Sequence, residues 1–397
     1  MVNYYELLNV SKDATKEEIE LALARCMLLY KNFEISHAFE ILTKESLRKL
    51  YNYSLDAPSE AGEIVQSALK RYVNKNAYGA MDILKEGLKT FPEQRELMLV
   101  LSRMYCFVGQ AQESINVLVV LYEKHPDDID VVFSLGYAYI CLRNYSTSYL
   151  YLRTLYKSLN KDVEYLNLYA EACVYLGKYK KACCISAHNI KQNYGYSELA
   201  YSYVYLLLAQ YYIDKSTLDK TVQHFVSYMH EEVSNVSLAW DCLEKLLHYV
   251  LDRVMQNEDV SLLIEVLVKM YKAFGANNTR AKLILFACDL SLECLHMFES
   301  GISEKITDLC KNYLCLLLSE IFDELKRETY EAKIAVNKLE IIESYDFTHE
   351  EIVHVLPDKY PLVSELISDF VYDFKHLELD GLVEKYNKFY GNAITGE

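Results

Sequence analysis

Apolar residues recur every three to four positions through most of this chain, in blocks of about a dozen residues separated by short polar stretches. Two such blocks run over 97–108 and 112–124. This period places the apolar side chains on one face of a helix, so each block predicts an amphipathic helix. The chain has only five prolines and twelve glycines. Because sheet-rich proteins need many turns, this scarcity favours long helices with short connections.

The residues that punctuate these blocks repeat at a fixed interval of 34 residues. The interval relates three sets of positions: Pro92, Pro126 and Asn160; Gly109, Arg143 and Gly177; and Ala80, Ser114, Ser148 and Ala182. A period of this length, with a break in its middle, indicates a helix–turn–helix array, and the blocks resemble the tetratricopeptide family. The resemblance implies four repeats at about 61–94, 95–128, 129–162 and 163–196, and a fifth, divergent one to about residue 230.

The helical period continues over 235–397, but the fixed interval does not. This helical C-terminal region is either a set of degenerate repeats or a separate cap, since the last apolar face of a repeat array needs cover. It is acidic from residue 340: eleven Asp or Glu residues lie between Glu340 and Asp380, against Lys359 and Lys375. Such a stretch is either a solvated acidic face or a docking surface for a basic partner.

The first 55 residues carry a different pattern, which a weak boundary at 56–59 separates from the repeats. Residues 4–10 read Tyr-Tyr-Glu-Leu-Leu-Asn-Val, and Thr15 with Glu18 forms a capping-box pattern before Ile19. Residues 38–42 and 48–52 supply two further blocks, Ala-Phe-Glu-Ile-Leu and Arg-Lys-Leu-Tyr-Asn. This order resembles the DnaJ-type J-domain. The chain as a whole is therefore predicted to be all-α: a J-like module, a tetratricopeptide-type α-solenoid and a helical C-terminal region.

The J-like module departs from its family in the loop that the family uses to stimulate the seventy-kilodalton heat-shock ATPase. Tyr30 matches the tyrosine before the His-Pro-Asp tripeptide, but Lys31, Asn32 and Phe33 follow it. The sequence therefore predicts a degenerate module that does not stimulate such an ATPase. A His-Pro-Asp does occur at 125–127, where the repeat register explains it as a break between two helices.

In tetratricopeptide arrays the first helix of each repeat lines a concave groove, and the resemblance assigns the outward positions of those helices to partner binding. By register these positions are Arg103, Phe107, Phe133, Tyr137, Asn167, Glu171, Tyr175, Tyr201 and Tyr205. Tyrosine offers a large contact area with a polar tip, which suits recognition of an apolar peptide or helix. The alternative is that these rings pack on the next repeat, because 36 tyrosines must include many structural ones. A carboxylate clamp needs two Lys or Arg residues and two Asn residues, and this full set does not occur at these positions.

Composition excludes several other classes of function. The formal net charge of −16 disfavours nucleic-acid binding, and no apolar run approaches the roughly 18 residues of a membrane span. The eleven cysteines form no Cys-x-x-Cys, so they indicate buried free thiols in a reducing, cytoplasmic compartment. His349 and His354 are five residues apart instead of the four of a zinc-protease helix. No cofactor or metal site is predicted.

The sequence thus favours a non-enzymatic scaffold that binds a protein or peptide in an aromatic groove. Two alternatives stay open at this point. One is a co-chaperone that docks the seventy-kilodalton heat-shock ATPase through its J-like module without stimulating it. The other is an enzyme whose site lies in the C-terminal helices.

Overall fold

In the computed structural model, every regular element of the described residues is helical. The described residues are 2–29, 33–193, 198–231, 236–274, 279–319, 327–343 and 351–376. The contacts divide the chain into two compact units, Met1–Ile213 and Asp214–Glu397. The predicted all-α fold is confirmed, and the division falls inside the span predicted for the fifth repeat.

Four helices form the N-terminal module. They are α1 (Tyr4–Leu8), α2 (Lys16–Leu29), α3 (Phe33–Leu42) and α4 (Glu45–Asp56). The capping box at the start of α2 is confirmed, because the Thr15 amide donates to the Glu18 carboxylate at 2.8 Å and the Glu18 amide donates to the Thr15 hydroxyl at 3.2 Å. Residues 30–32, where the J-like loop is missing, lie outside the described residues.

Tyr51 of α4 fastens the start of the chain to the module. Its ring stacks on Tyr4 with centroids 4.7 Å apart. Its hydroxyl accepts a hydrogen bond from the Tyr4 amide at 2.7 Å and donates to the Val2 carbonyl at 3.0 Å. Gln66 also donates to that carbonyl, at 2.9 Å. The module is therefore tied to the helix that follows it.

The following helices form a continuous series of pairs. The bounds are α5 (Ser59–Val73), α6 (Ala77–Thr90), α7 (Arg95–Phe107), α8 (Ala111–Lys124), α9 (Ile129–Cys141), α10 (Tyr145–Thr154), α11 (Tyr156–Leu159), α12 (Val163–Tyr175), α13 (Tyr179–Gln192) and α14 (Leu199–Ile213). Consecutive helices pack on each other, except that α10 packs on α12 beyond the short α11, and α5, α7, α9, α12 and α14 also pack in succession on one another. This arrangement is a helical solenoid, in which most packing is between neighbouring pairs.

The turns within the four pairs use the left-handed backbone region at one fixed repeat position. Gly109 and Gly177 have φ values of 76° and 67°, and Arg143 has 58°. Lys75 occupies the same position of the first pair, with φ 60°. The predicted turns at 109, 143 and 177 are confirmed. Lysine and arginine are strained in this region, since only glycine enters it without steric cost.

Close approach of two helices depends on Gly136 in α9. A Cβ atom at this position would lie 2.6 Å from Cδ2 of Leu152 in α10. Ser148 of α10 donates its hydroxyl to the Gly136 carbonyl at 2.8 Å. The small residue thus lets a buried serine hydroxyl reach the backbone of the neighbouring helix.

A single apolar core joins the module to the first repeats. Tyr4, Leu50, Val65, Leu84 and Leu101 belong to one cluster of buried side chains. Pro58 ends α4 and separates it from α5, but the core continues across this break. The described residues from Tyr4 to Tyr105 therefore share one core.

The second unit begins with a short 3-10 turn and continues as long helices. They are α15 (Leu218–Glu231), α16 (Val236–Met255), α17 (Ser261–Ala273), α18 (Thr279–Glu299), α19 (Glu304–Leu318), α20 (Arg327–Glu343), α21 (Leu356–Lys359), α22 (Pro361–Leu366) and α23 (Ser368–His376), with a π-helical turn at Glu351–Val355. Its core includes the fully buried rings of Tyr249, Tyr271 and Phe370. The buried Lys311 ammonium is hydrogen-bonded to Asn257 and lies 3.4 Å from Asp308.

Candidate protein-binding groove

The predicted groove residues fall in three rows across the first helices α7, α9, α12 and α14. The interval of 34 residues relates the members of each row, and adjacent rows are four residues apart. The inner row contains Phe133, Asn167 and Tyr201; the middle row contains Arg103, Tyr137, Glu171 and Tyr205; the turn-side row contains Phe107 and Tyr175. All nine residues thus lie on first helices, as the register predicts.

Helix α4 of the module lies against the groove side of the solenoid. Its Lys49 ammonium reaches two carboxylates at the start of α12, Asp162 at 2.7 Å and Glu164 at 3.1 Å. The same ammonium lies 5.1 Å from the centre of the Phe133 ring in α9. Helix α4 also packs on α7. One helix of the chain therefore spans three successive first helices of the array.

Arg103 and Glu164 form the buried centre of this contact. The Arg103 guanidinium bonds to the Glu164 carboxylate at 2.8 Å, and its side chain is only 6% exposed. It lies 3.9 Å from the centre of the Tyr137 ring and 5.6 Å from that of Phe133. Burial alone would raise the pKa of Glu164, but Arg103 and Lys49 hold it at about 2. Two cations therefore share one carboxylate that stays charged.

Tyr53 extends the contact of α4 to the start of α7, the first helix of the second repeat. Its ring centre lies 5.8 Å from the Arg95 guanidinium of α7. Arg95 in turn bonds to Asp128 at 2.8 Å and to Asp130 at 2.6 Å. Burial and the neighbouring Asp130 carboxylate both raise the pKa of the Tyr53 hydroxyl. Aromatic, cationic and acidic groups thus alternate along this face of α4.

Asn167 of the inner row joins a buried amide and hydroxyl network. Its amide donates to the Glu198 carbonyl at 2.9 Å, and its side-chain oxygen accepts from Ser202 and from Asn189. Asn189 also donates to the Ser202 hydroxyl at 2.8 Å. Because each buried polar group has a partner, the network fixes α12, α13 and α14 relative to one another.

Glu171 and Tyr205 of the middle row form a second buried pair. Tyr205 donates its hydroxyl to the Glu171 carboxylate, which joins α12 to α14. Burial, together with that carboxylate, raises the pKa of the Tyr205 hydroxyl. Like Arg103, Phe133 and Asn167, these two residues are buried, so five of the nine predicted residues pack inside the array and do not point outward as the register predicts.

The remaining predicted residues are half-buried. Phe107 stacks on Tyr72 with ring centres 5.1 Å apart, and Tyr175 stacks on Tyr145 at 4.1 Å. Tyr137 and Tyr201 are half-buried as well. These four aromatic rings keep part of their surface accessible, and they are the members of the predicted set that a partner can touch without unfolding the array.

Sequence reasoning missed Lys49, Tyr53, Asp162 and Glu164. Lys49 is part of the J-like block at 48–52 and Tyr53 lies just after it, and the two are four residues apart on one face of α4. Leu50 and Tyr51 belong to the module core on a different face. A helix with polar and aromatic residues at this spacing beside a complete apolar face indicates a second packing surface.

Other candidate chemistry in the described residues is sparse. No group of three or more His, Cys, Asp or Glu residues there is arranged to hold a metal ion, and His349 lies outside the described residues. Seven of the eleven cysteines are buried.

A cavity of about 570 Å³ in the second unit is lined by Asp308 and Lys333 among amide and apolar side chains. That lining contains no nucleophile with a base beside it. Within the described ranges, no helix is both long and apolar enough to cross a membrane.

Neither a family model nor a curated protein matches the chain. The chain is similar to a solved tetratricopeptide repeat protein from Parabacteroides merdae ATCC 43184, with 13% sequence identity and a TM-score of 0.39. The similarity covers 79% of this chain and 100% of that one. The assignment of a helical solenoid stands on the pairing of α5 to α14 in the chain itself.

Proposed function

We propose that this chain is a non-enzymatic scaffold that holds a helical or extended segment of a partner protein in its groove. The observation that carries this proposal is the position of α4. A helix of the chain itself lies on the first helices of the array through a lysine, an aromatic ring and their acidic and aromatic counterparts. The groove therefore has the chemistry to recognise a helix.

The partner segment lies beside α4, over the half-buried rings Phe107, Tyr137, Tyr175 and Tyr201. The buried members of the set, including Arg103 and Glu171, hold those rings in place. Aromatic rings on a fixed support lose little conformational freedom on binding, which favours them as contact residues. The J-like module acts here as a part of the groove. Its α4 contributes Lys49 and Tyr53 to the solenoid, which supports an adaptor in preference to a heat-shock co-chaperone.

Site-specific photo-crosslinking tests this proposal. A benzophenone amino acid is placed at Tyr137 or at Tyr175 of the intact chain, in the cells that produce it. The matched control is Tyr78 of α6, which is 63% exposed and is not a groove position. We expect the same partner protein to be covalently attached from both groove positions and not from position 78. Adducts from position 78 alone, or from none of the three, would refute the proposed groove.

A further inference from the structure

The second helices of the solenoid carry two adjoining clefts that the groove does not use. The first, of about 570 Å³, lies between α10 and α13 and contains the ring of Tyr169. The other, of about 620 Å³, lies at the turn before α13 and reaches Tyr212 and Ile213 at the end of α14. Tyr149 and Lys181 line both clefts. These volumes are within the range of about 300–1,000 Å³ that is typical of ligand sites.

Aromatic rings hold the lysine ammonium groups of these clefts in place. The Lys181 ammonium lies 3.2 Å from the Tyr149 hydroxyl. It also lies 5.1 Å from the Tyr149 ring centre and 4.8 Å from that of Tyr169. The Lys178 ammonium is 5.1 Å from the same Tyr149 ring. Because ring faces attract cations, these ammonium groups are kept at the cleft walls.

The cations that line the two clefts have no acidic counterpart in the described part of the chain. Arg153, Lys178, Lys180 and Lys181 are exposed, and none of them forms a salt bridge with a described carboxylate, whereas Lys49 and Arg103 in the groove do. The chain carries an excess of 16 negative charges, so its basic residues are outnumbered. These four basic side chains have no carboxylate partner among the described residues. They therefore give the two clefts a local positive charge on a chain whose net charge is negative.

Apolar surface accompanies the positive charge. Ile213, at the rim of the second cleft, is 43% exposed. Tyr179 and Tyr212 stack there with ring centres 4.0 Å apart, and Ile185 lines the first cleft. The clefts thus offer apolar walls between cations. This combination fits a chain segment in which carboxylates alternate with apolar side chains.

We infer that the two outer clefts bind an acidic segment of a partner protein. Its carboxylates pair with Lys178, Lys180 and Lys181, and its apolar side chains enter the clefts beside Tyr149 and Ile213. This surface is formed mainly by α10 and α13, with Tyr169 of α12 and the end of α14, and it shares no lining residue with the predicted groove. Single-stranded nucleic acid would also meet cations and aromatic rings here, but the aliphatic walls at Ile185 and Ile213 match the apolar side chains of a protein segment and not a phosphate backbone.

Fluorescence anisotropy with the full chain tests this inference. The probe is a short labelled peptide that repeats Glu-Phe-Glu-Leu, and its matched counterpart repeats Gln-Phe-Gln-Leu. We expect the acidic peptide to bind about tenfold more tightly at low salt and to lose that advantage at high salt. The double variant Lys178→Gln/Lys181→Gln removes the difference between the peptides.

Two control variants separate this surface from the rest of the molecule. Lys191→Gln removes a lysine of α13 that lines neither cleft, and it leaves binding unchanged. Tyr137→Leu alters the groove, and it also leaves binding of the acidic peptide unchanged, so the outcome does not depend on the proposed function of the groove. Equal binding of the two peptides, or full binding by the double variant, overturns the inference. Tighter binding of a labelled oligothymidylate than of the acidic peptide overturns it as well and assigns the clefts to nucleic acid.

Discussion

The groove and the outer clefts use the same residue types in opposite ways. In the groove, Lys49 and Arg103 are close to aromatic rings and are bonded to Asp162 and Glu164. On the outer face, Lys178 and Lys181 are close to aromatic rings and have no carboxylate partner in the described residues. On both surfaces a cation lies close to an aromatic ring. Among the described residues, the cation also has a carboxylate partner only in the groove.

This difference separates a surface whose cations are paired within the chain from a surface whose cations are left for a second molecule. A buried cation without a counter-ion would destabilise the fold, so the groove had to include its carboxylates. An exposed cation is hydrated and carries no such requirement. The groove contact is therefore a structural element of the fold, while the outer clefts are left with an attraction for negative charge that a second molecule is able to satisfy.

The largest expected effect on stability is that of the substitution Glu164→Gln. The substitution removes the carboxylate that Lys49 and Arg103 share, and it leaves a buried guanidinium unpaired. We expect a loss of about 3–5 kcal/mol in the free energy of unfolding of the first unit. Chemical denaturation and hydrogen exchange of the α4 amides measure it. The control Glu123→Gln changes an exposed carboxylate of α8 and is expected to shift stability by less than about 0.5 kcal/mol. Equal stability of the two variants would show that the groove contact is not structural.

Low pH is expected to weaken the contact of Glu164 with Lys49 and Arg103, because it protonates the Glu164 carboxylate. The pKa of Glu164 lies at about 2 in the folded chain against an ordinary value of 4.5. Because its folded pKa is lowered, its contribution is fully present above about pH 4.5 and is lost as pH falls toward 2. A difference of this size corresponds to about 3 kcal/mol. Denaturation at a series of pH values measures the slope, which we expect to be shallower in Glu164→Gln. Identical slopes would assign the acid sensitivity to other carboxylates.

A smaller effect is expected from Tyr137→Leu. The substitution keeps apolar bulk but removes the ring over which the Arg103 guanidinium lies at 3.9 Å. Loss of this partly buried cation–π contact should lower stability by about 1–2 kcal/mol. Thermal melting measures it, with Tyr78→Leu as an exposed control. If both variants melt alike, the ring serves partner contact alone, and the photo-crosslinking yield at position 137 then reports its whole role.

The smallest effect is expected on the outer face. Lys178→Gln and Lys181→Gln remove exposed cations that contact only ring faces and a tyrosine hydroxyl. Each should change the free energy of unfolding by less than about 1 kcal/mol. Melting curves of the two variants beside Glu164→Gln give the comparison directly. A loss as large as that of Glu164→Gln would place these lysines in the fold and remove the distinction between the two surfaces.

The turns of the helix pairs could be predicted from the sequence because they depend on local residue types at a fixed spacing. The interval of 34 residues places the turns at Gly109, Arg143 and Gly177, and all three adopt the left-handed backbone. The same interval, extended backward, would have predicted the turn at Lys75. The position of the nine groove residues on first helices also follows from this register, although their role in binding stays a prediction.

The contact of α4 could not be predicted in the same way. Lys49 meets carboxylates that lie 113 and 115 residues later in the chain. No periodicity in a single sequence relates positions so far apart, because they meet only after three helix pairs, α5 to α10, have stacked and α12 has joined them. The outer clefts could not be predicted for a similar reason, because Tyr149 and Lys181 lie on second helices of different repeats and come together only in the folded array.

The distance between Lys49 and Glu164 along the chain also sets an order of events during synthesis. At roughly 5–20 residues per second, Glu164 is added on the order of ten seconds after Lys49. Until then the module can bury Tyr51 and its apolar face, but the other face of α4 has no carboxylate to meet. The nascent chain thus exposes, for a defined interval, both a basic aromatic helix and the unfinished surface that receives it. Synthesis of the start of α12 therefore completes the contact that holds α4 on the array.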